Sequence, residues 1–212
     1  MIRTTAMALL LAATFNVHAA DKAPAAKADP AKAKPIAESV CVGCHGADGN
    51  SPAAPNPIIA GQGAAYIAKQ LSNFKPVGDK PALRDNAIMA GMSAGLSEDD
   101  IKNLAAYFSQ QKIKPAVAKD EKLIAEGQKL WRMGDFSKGI PSCAGCHGPT
   151  GAGLPAQYPA LAGQYPEYTE DQLKKFRAGE RGNDPEKMMR TIAAKLSDAQ
   201  IKAVSEYAAG LR

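Results

Sequence analysis

Apolar residues along this 212-residue chain recur at helical spacing, three and four positions apart. Ile101, Leu104, Ala105 and Phe108 form one stripe, and Ile201, Val204 and Ala208 form another. Each stripe follows a serine, Ser97 or Ser197, with Asp100 or Gln200 three positions on, which predicts an N-cap and its capping-box partner. Tyr66 to Phe74 and Tyr168 to Phe176 predict a middle helix in each half, and Gly127, Leu130 and Trp131 predict a helix able to cross the last one near Tyr207. No run alternates convincingly between apolar and polar, so strands should be few and the fold all-α.

The pattern is duplicated. Pro57-Ile58-Ile59-Ala60-Gly61-Gln62 returns as Pro159-Ala160-Leu161-Ala162-Gly163-Gln164 at an offset of 102, and Tyr66, Gln70, Leu71 and Phe74 return as Tyr168, Gln172, Leu173 and Phe176. Ser97 to Tyr107 matches Ser197 to Tyr207 at an offset of 100, so the loop near Val77 to Ala82 differs by two residues between copies. We therefore expect a first domain at 35–114, a linker at 115–120 containing Pro115, and a second domain at 121–212.

Ahead of the repeat, residues 1–19 read as an export signal, with Arg3, an apolar run from Ala6 to Phe15 and a Val17-His18-Ala19 cleavage site. The run is shorter than the roughly 20 apolar residues a spanning helix needs, and no cysteine stands near the cleavage site to take a lipid. Residues 20–34 form an Ala/Lys/Pro stretch expected to be a flexible tether, since it offers little apolar surface to offset ordering. With Pro30 and Pro35 where a first helix would run, only Pro35 to Val40 is left to the first domain before its motif. That helix is expected to be short or poorly ordered, and the first site more exposed than the second.

The chemistry lies in Cys41-Val42-Gly43-Cys44-His45 and Cys143-Ala144-Gly145-Cys146-His147, again 102 apart. C-x-x-C-H is the attachment signature of a c-type haem, in which two thiols form thioethers to one porphyrin and the histidine ligates its iron. Exported cysteines also form disulfides, and Cys/His clusters also bind zinc. The inventory decides: all four cysteines lie in the motifs, and of three histidines His18 lies in the signal while His45 and His147 complete the motifs. The expected cofactors are two covalently bound haem c groups, which also supply the apolar bulk that small domains with 6% aromatic residues lack.

With no spare histidine, methionine is the natural second axial donor among Met89, Met92, Met133, Met188 and Met189. At the offset of 100 Met89 falls on Met189, whereas Met92 falls on Ile192 and Met188 on Ile88. Met89 and Met189 are therefore the candidates, with Met92 and Met188 next. Pro57 and Pro159, each twelve residues after a histidine, are candidates to present a backbone carbonyl to its second ring nitrogen. The recurring Tyr66 and Tyr168 read as packing residues, and Lys75 and Arg177 as solvated helix surface. The formal charge of +5 is spread thinly, without a Lys/Arg and aromatic stripe, so no nucleic-acid partner is expected.

Both motifs, Cys44 to Pro52, the two Ala-Gly-Gln segments and Ala193 to Ser197 together resemble the cytochrome c4 family, diheme proteins of two class I cytochrome c domains, over residues 36–212. The resemblance implies His/Met ligation through Met89 and Met189, and two haems near each other across a pseudo-twofold interface. It also implies a periplasmic protein, sometimes membrane-associated, that carries electrons from a quinol-oxidising cytochrome bc complex to a terminal oxidase and is not an enzyme. An alternative is the diheme cytochrome subunit of an oxidoreductase such as a flavin-dependent sulfide dehydrogenase. A haem peroxidase is a weaker reading, because no distal histidine exists to work beside an open iron.

Overall fold

The structure, a computed structural model, describes residues 27–212. The expected signal and the start of the expected tether lie outside the described residues. The first half contains α1 (Pro30–Ile36), α2 (Val42–His45), α3 (Ala64–Asn73), α4 (Ala87–Ala94) and α5 (Glu98–Ser109). The second contains α6 (Ile124–Met133), α7 (Ala144–His147), α8 (Pro166–Ala178), α9 (Met188–Ala193) and α10 (Asp198–Gly210). Among the described residues there are isolated bridges but no strands, and the fold is all-α. Both capping boxes form, Ser97 with Asp100 and Ser197 with Gln200.

The start of the first half departs from expectation. Residues 30–34 are helical, and α1 runs on through a π turn, Ala37–Cys41, directly into α2. Neither proline stops it. Pro30 sits in the first turn, where a missing N–H costs nothing, behind an Asp29 cap that accepts from the N–H of Ala31 at 3.0 Å. Pro35 lies inside the helix just before the wider turn. What holds α1 down is alanine: Ala33 and Ala37, one turn apart and fully buried, pack with Leu104, Ala105 and Phe108 of α5. A segment without large side chains buries little area per residue but approaches its neighbour closely, which a reading of bulk hydrophobicity overlooks.

The second half makes the same crossing as its sequence predicts. α6 lies across α10 with Gly127 at the contact, where an added Cβ would stand 2.1 Å from the Ala203 carbonyl oxygen and 2.7 Å from Tyr207 Cβ. Below it Leu130 and Trp131 join Ile201, Val204, Tyr207 and Ala208 in one core. Here a nine-residue loop separates Met133 from Cys143, whereas the first half has none. The segment between halves is bound rather than loose: Ala116 N–H donates to the Gly163 carbonyl at 2.8 Å, and Lys119 N–H to the buried Glu206 carboxylate at 2.6 Å.

Gly127→Ala must push α6 off α10. We expect it to cost about 2–3 kcal/mol by overpacking and to lower the thermal midpoint, while Gly63→Ala, where a Cβ meets nothing within 4 Å, leaves it in place. Equal midpoints for the two variants in a melting experiment would contradict this crossing.

Candidate haem sites

Each C-x-x-C-H motif winds into a short helix that ends on its histidine, so both cysteines and the histidine lie on one turn. His45 and His147 are buried, 8% and 7% exposed. Nδ1 of His45 lies 2.9 Å from the Pro57 carbonyl oxygen, and Nδ1 of His147 lies 2.9 Å from that of Pro159. A carbonyl can only accept, so Nδ1 carries the proton and Nε2 is left with its lone pair free for a metal. Burial, the larger effect, holds both imidazoles below the usual histidine range, against the opposing pull of the proline carbonyls. Burial likewise pushes the Cys143 thiol up to about 11 and raises Cys41. The sites thus present neutral imidazoles, and the four cysteines form no disulfide.

The loop from histidine to proline is closed by a repeated glycine. The Gly49 carbonyl accepts from the N–H groups of Ile59 and Ala60, and that of Gly151 from those of Leu161 and Ala162. Gly49 has φ +77°, and a Cβ there would meet Ala60 N at 2.8 Å and the Phe108 ring at 2.9 Å. Only glycine combines that backbone with that closeness. The loop therefore returns the proline to the histidine at a set distance.

Both motifs open onto one continuous cavity of about 850 Å³. Met89 and Met92 reach it from the first half and Met188 and Met189 from the second; Met133 is not on its wall and is half exposed. The structure thus removes one of the five candidates, and the pairing of Met89 with Met189 still rests on the repeat. Lys75 and Arg177, expected to be solvated, instead donate to the carbonyls of Leu96 and Leu196. Each therefore ties a middle helix to the turn that ends the methionine-bearing one. The histidines are equally buried, which does not match a more exposed first site; the difference is that Cys44 is exposed whereas Cys146 is half-buried.

Two arginines that the sequence reading missed cross between the halves. Arg84 donates across the boundary to Tyr168 Oη at 3.0 Å and Gln172 Oε1 at 2.8 Å, and Arg181 donates across it to Tyr66 Oη at 2.9 Å and, within its own half, to Gln172 Oε1 at 2.7 Å. Each also lies over a phenylalanine of its own half, Phe74 at 4.7 Å and Phe176 at 4.4 Å. The tyrosines are thus interface acceptors rather than plain packing residues. Arg84 and Arg181 stand 97 apart, matching neither the 102 of the motifs nor the 100 of the methionines, so no single offset pairs them. Equal residue type on either side of a variable loop was the signal available.

Both guanidinium groups are buried, 8% and 7% exposed, and neither has a carboxylate partner among the described residues. Burial, the largest effect, would push the nearby Tyr66 phenol up, yet the charges of Arg181 and Arg84 bring it below its ordinary value. Gln70 Nε2, on the same wall, is buried with no acceptor. A cavity with apolar walls such as Ile59, Leu71, Leu161 and Leu173, paired sulfurs, free imidazole nitrogens, two buried arginines without a carboxylate and the unpaired Gln70 Nε2 donor fits a large apolar group that carries carboxylates, as haem does.

Comparison with known proteins agrees with this geometry. The cytochrome c family model matches residues 30–112 and 124–211. The chain is 45% identical over 212 residues to cytochrome c4 of Azotobacter vinelandii, covering 96% of this chain and 95% of that one. It is 42% identical over 188 residues to a thiosulfate dehydrogenase electron acceptor of Thiomonas intermedia, covering 87% and 84%. The crystal structure of reduced recombinant cytochrome c4 from Pseudomonas stutzeri superposes with a TM-score of 0.82 at 42% identity, over 87% of this chain and 100% of that one. The chain belongs to the cytochrome c4 family: a diheme electron-transfer protein rather than an enzyme, built of two tandem cytochrome c domains with covalently bound haem c.

Proposed function

We propose that this protein is a periplasmic electron carrier between a quinol-oxidising cytochrome bc complex and a terminal oxidase. His45 and Met89 are the axial donors of the first half, His147 and Met189 those of the second, and Cys41, Cys44, Cys143 and Cys146 are the attachment sulfurs. One observation carries the reading: each half brings a buried histidine with a free Nε2, and a methionine at the equivalent repeat position, to the wall of the same cavity. Bound haem supplies a one-electron ferrous/ferric couple.

The residues hold and shield; none is placed to react. With haem bound, Met89 and Met189 would supply thioether ligands beside the imidazoles and leave no open iron site for water or small ligands. The carbonyls of Pro57 and Pro159 fix the ring tautomers, and the buried Arg84, Arg181 and Gln70 offer donors to carboxylates. The signal-like residues 1–19 support export, and among the described residues no helix is long and apolar enough to cross a membrane. Partners of such a carrier dock through small, transient interfaces.

A second reading draws on the relatives named thiosulfate dehydrogenase electron acceptors. On that reading the chain accepts electrons from a dedicated sulfur-oxidising dehydrogenase, a different partner class from the flavin-dependent sulfide dehydrogenase considered from sequence.

Met89→Ala should let the first haem bind carbon monoxide while the second stays closed, Met189→Ala should do the reverse, and Met92→Ala should do neither. A Met89→Ala protein whose reduced spectrum ignores carbon monoxide would sink the ligand assignment. For the partner, the reduced protein should be oxidised by a purified terminal oxidase, and the oxidised protein should stay oxidised when mixed with thiosulfate dehydrogenase and thiosulfate. The opposite pair of results would establish the second reading.

A further inference from the structure

The glutamines of the two Ala-Gly-Gln segments each reach into the opposite half. Gln164 accepts at Oε1 from the N–H of Ile58 at 2.9 Å and donates from Nε2 to the Ile58 carbonyl at 2.8 Å. Gln62 does the same to Ala160, at 3.0 Å and 2.9 Å. Both side chains are nine-tenths buried. Their amide orientation is determined by the surroundings, because each Oε1 also accepts from the following backbone N–H, Gly63 at 2.9 Å or Tyr165 at 3.1 Å, while each Nε2 faces a carbonyl. A primary amide carries one acceptor and a donor side by side, so it pairs with one residue as a neighbouring strand would.

The residue gripped is not arbitrary. The Ile58 N–H and the Pro57 carbonyl belong to the same planar peptide, and so do the Ala160 N–H and the Pro159 carbonyl. Those two carbonyls accept the ring protons of His45 and His147. A bond accepted from the N–H end of a peptide increases the negative charge on its carbonyl end, so hydrogen bonds in such a chain strengthen one another. A stronger acceptor at Nδ1–H makes the imidazole a more basic ligand. A more basic ligand favours ferric iron and lowers the reduction potential.

We propose that Gln62 and Gln164 are positioning residues that tune the axial histidine of the opposite half: Gln164 acts on His45 through the Pro57–Ile58 peptide, and Gln62 acts on His147 through the Pro159–Ala160 peptide. The proposal rests on the reading of His45 and His147 as axial ligands. It gives the interface a chemical role beyond adhesion, because a residue of one domain sets the potential of the other domain's haem.

The test is a redox titration of the full holoprotein followed by proton NMR. The second haem is identified by its proximity to Trp131, the single tryptophan, whose ring centroid lies 6.4 Å from that of His147. Gln164→Ala should shift the first haem to higher potential and leave the second where it was; Gln62→Ala, an independent mirror variant, should shift only the second. Loss of packing alone would disturb a variant's own half or both halves alike. A shift in the variant's own half, equal shifts in both haems, a fall in place of a rise, or no shift would each overturn the proposal. The wild-type spectrum, taken first, tests the ligation separately: without two low-spin His/Met haems the axial assignment itself falls.

Discussion

An imidazole has two nitrogens, and only the one without a proton can bind iron. The bond from Nδ1–H of each histidine to a proline carbonyl therefore governs what the rest of the structure must do. The carbonyl has to arrive twelve residues downstream at 2.9 Å, which calls for a tight loop. That loop closes because Gly49 and Gly151 adopt left-handed backbone, and at Gly49 the space also leaves no room for a Cβ. The proline fixes its own φ and leaves the carbonyl, not an N–H, as its hydrogen-bonding group. Motif, glycine, proline and the glutamine from the other half form one continuous linkage.

The cores built around this linkage are thin. In the first half they rest on Ala33, Ala37, Ile67, Leu104, Ala105 and Phe108, in the second on Leu130, Trp131 and the inner face of α10. Between them lies a space of about 850 Å³. Much of its wall is apolar, Ile59, Leu71, Leu161 and Leu173 among it, and this is surface that a bound haem would cover. The cofactor is thus part of the core in the literal sense, and helices as short as α2 and α7 need no cohesion beyond what it and their neighbours supply.

Features carried by local chemistry were legible in the sequence: both attachment motifs, both capping boxes, the α6–α10 crossing at Gly127 and the prolines that meet the histidines. Features that depend on a neighbour in space were not. α1 looked like tether because alanine signals nothing until Ala33 and Ala37 are seen against α5. Lys75 and Arg177 looked solvated because their acceptors are backbone carbonyls some twenty residues away. Arg84 and Arg181 were hidden by loops of unequal length on either side, which shift the repeat offset from 102 to 97 and back to 100. Gln62 and Gln164 were visible as repeated residues, but their partners lie across the interface.

The interface also breaks the symmetry it is built on. Arg84 and Arg181 mirror one another, as do Gln62 and Gln164, yet Tyr165 of the second half donates to the Ser51 carbonyl at 2.7 Å, and the first half has Gly63 where a returning tyrosine would stand. Ser51 in turn donates from Oγ to the carbonyl of Cys44, so this extra contact reaches the attachment turn of the first half alone. His147 has Trp131 and Tyr158 beside it, at 6.4 Å and 6.1 Å, while the equivalent crossing in the first half is made by alanines. Reduction potential follows burial and hydrogen bonding around the metal when the ligands are the same. On the proposed ligation the two haems would share one ligand design in two different surroundings, and unequal reduction potentials are the expected consequence.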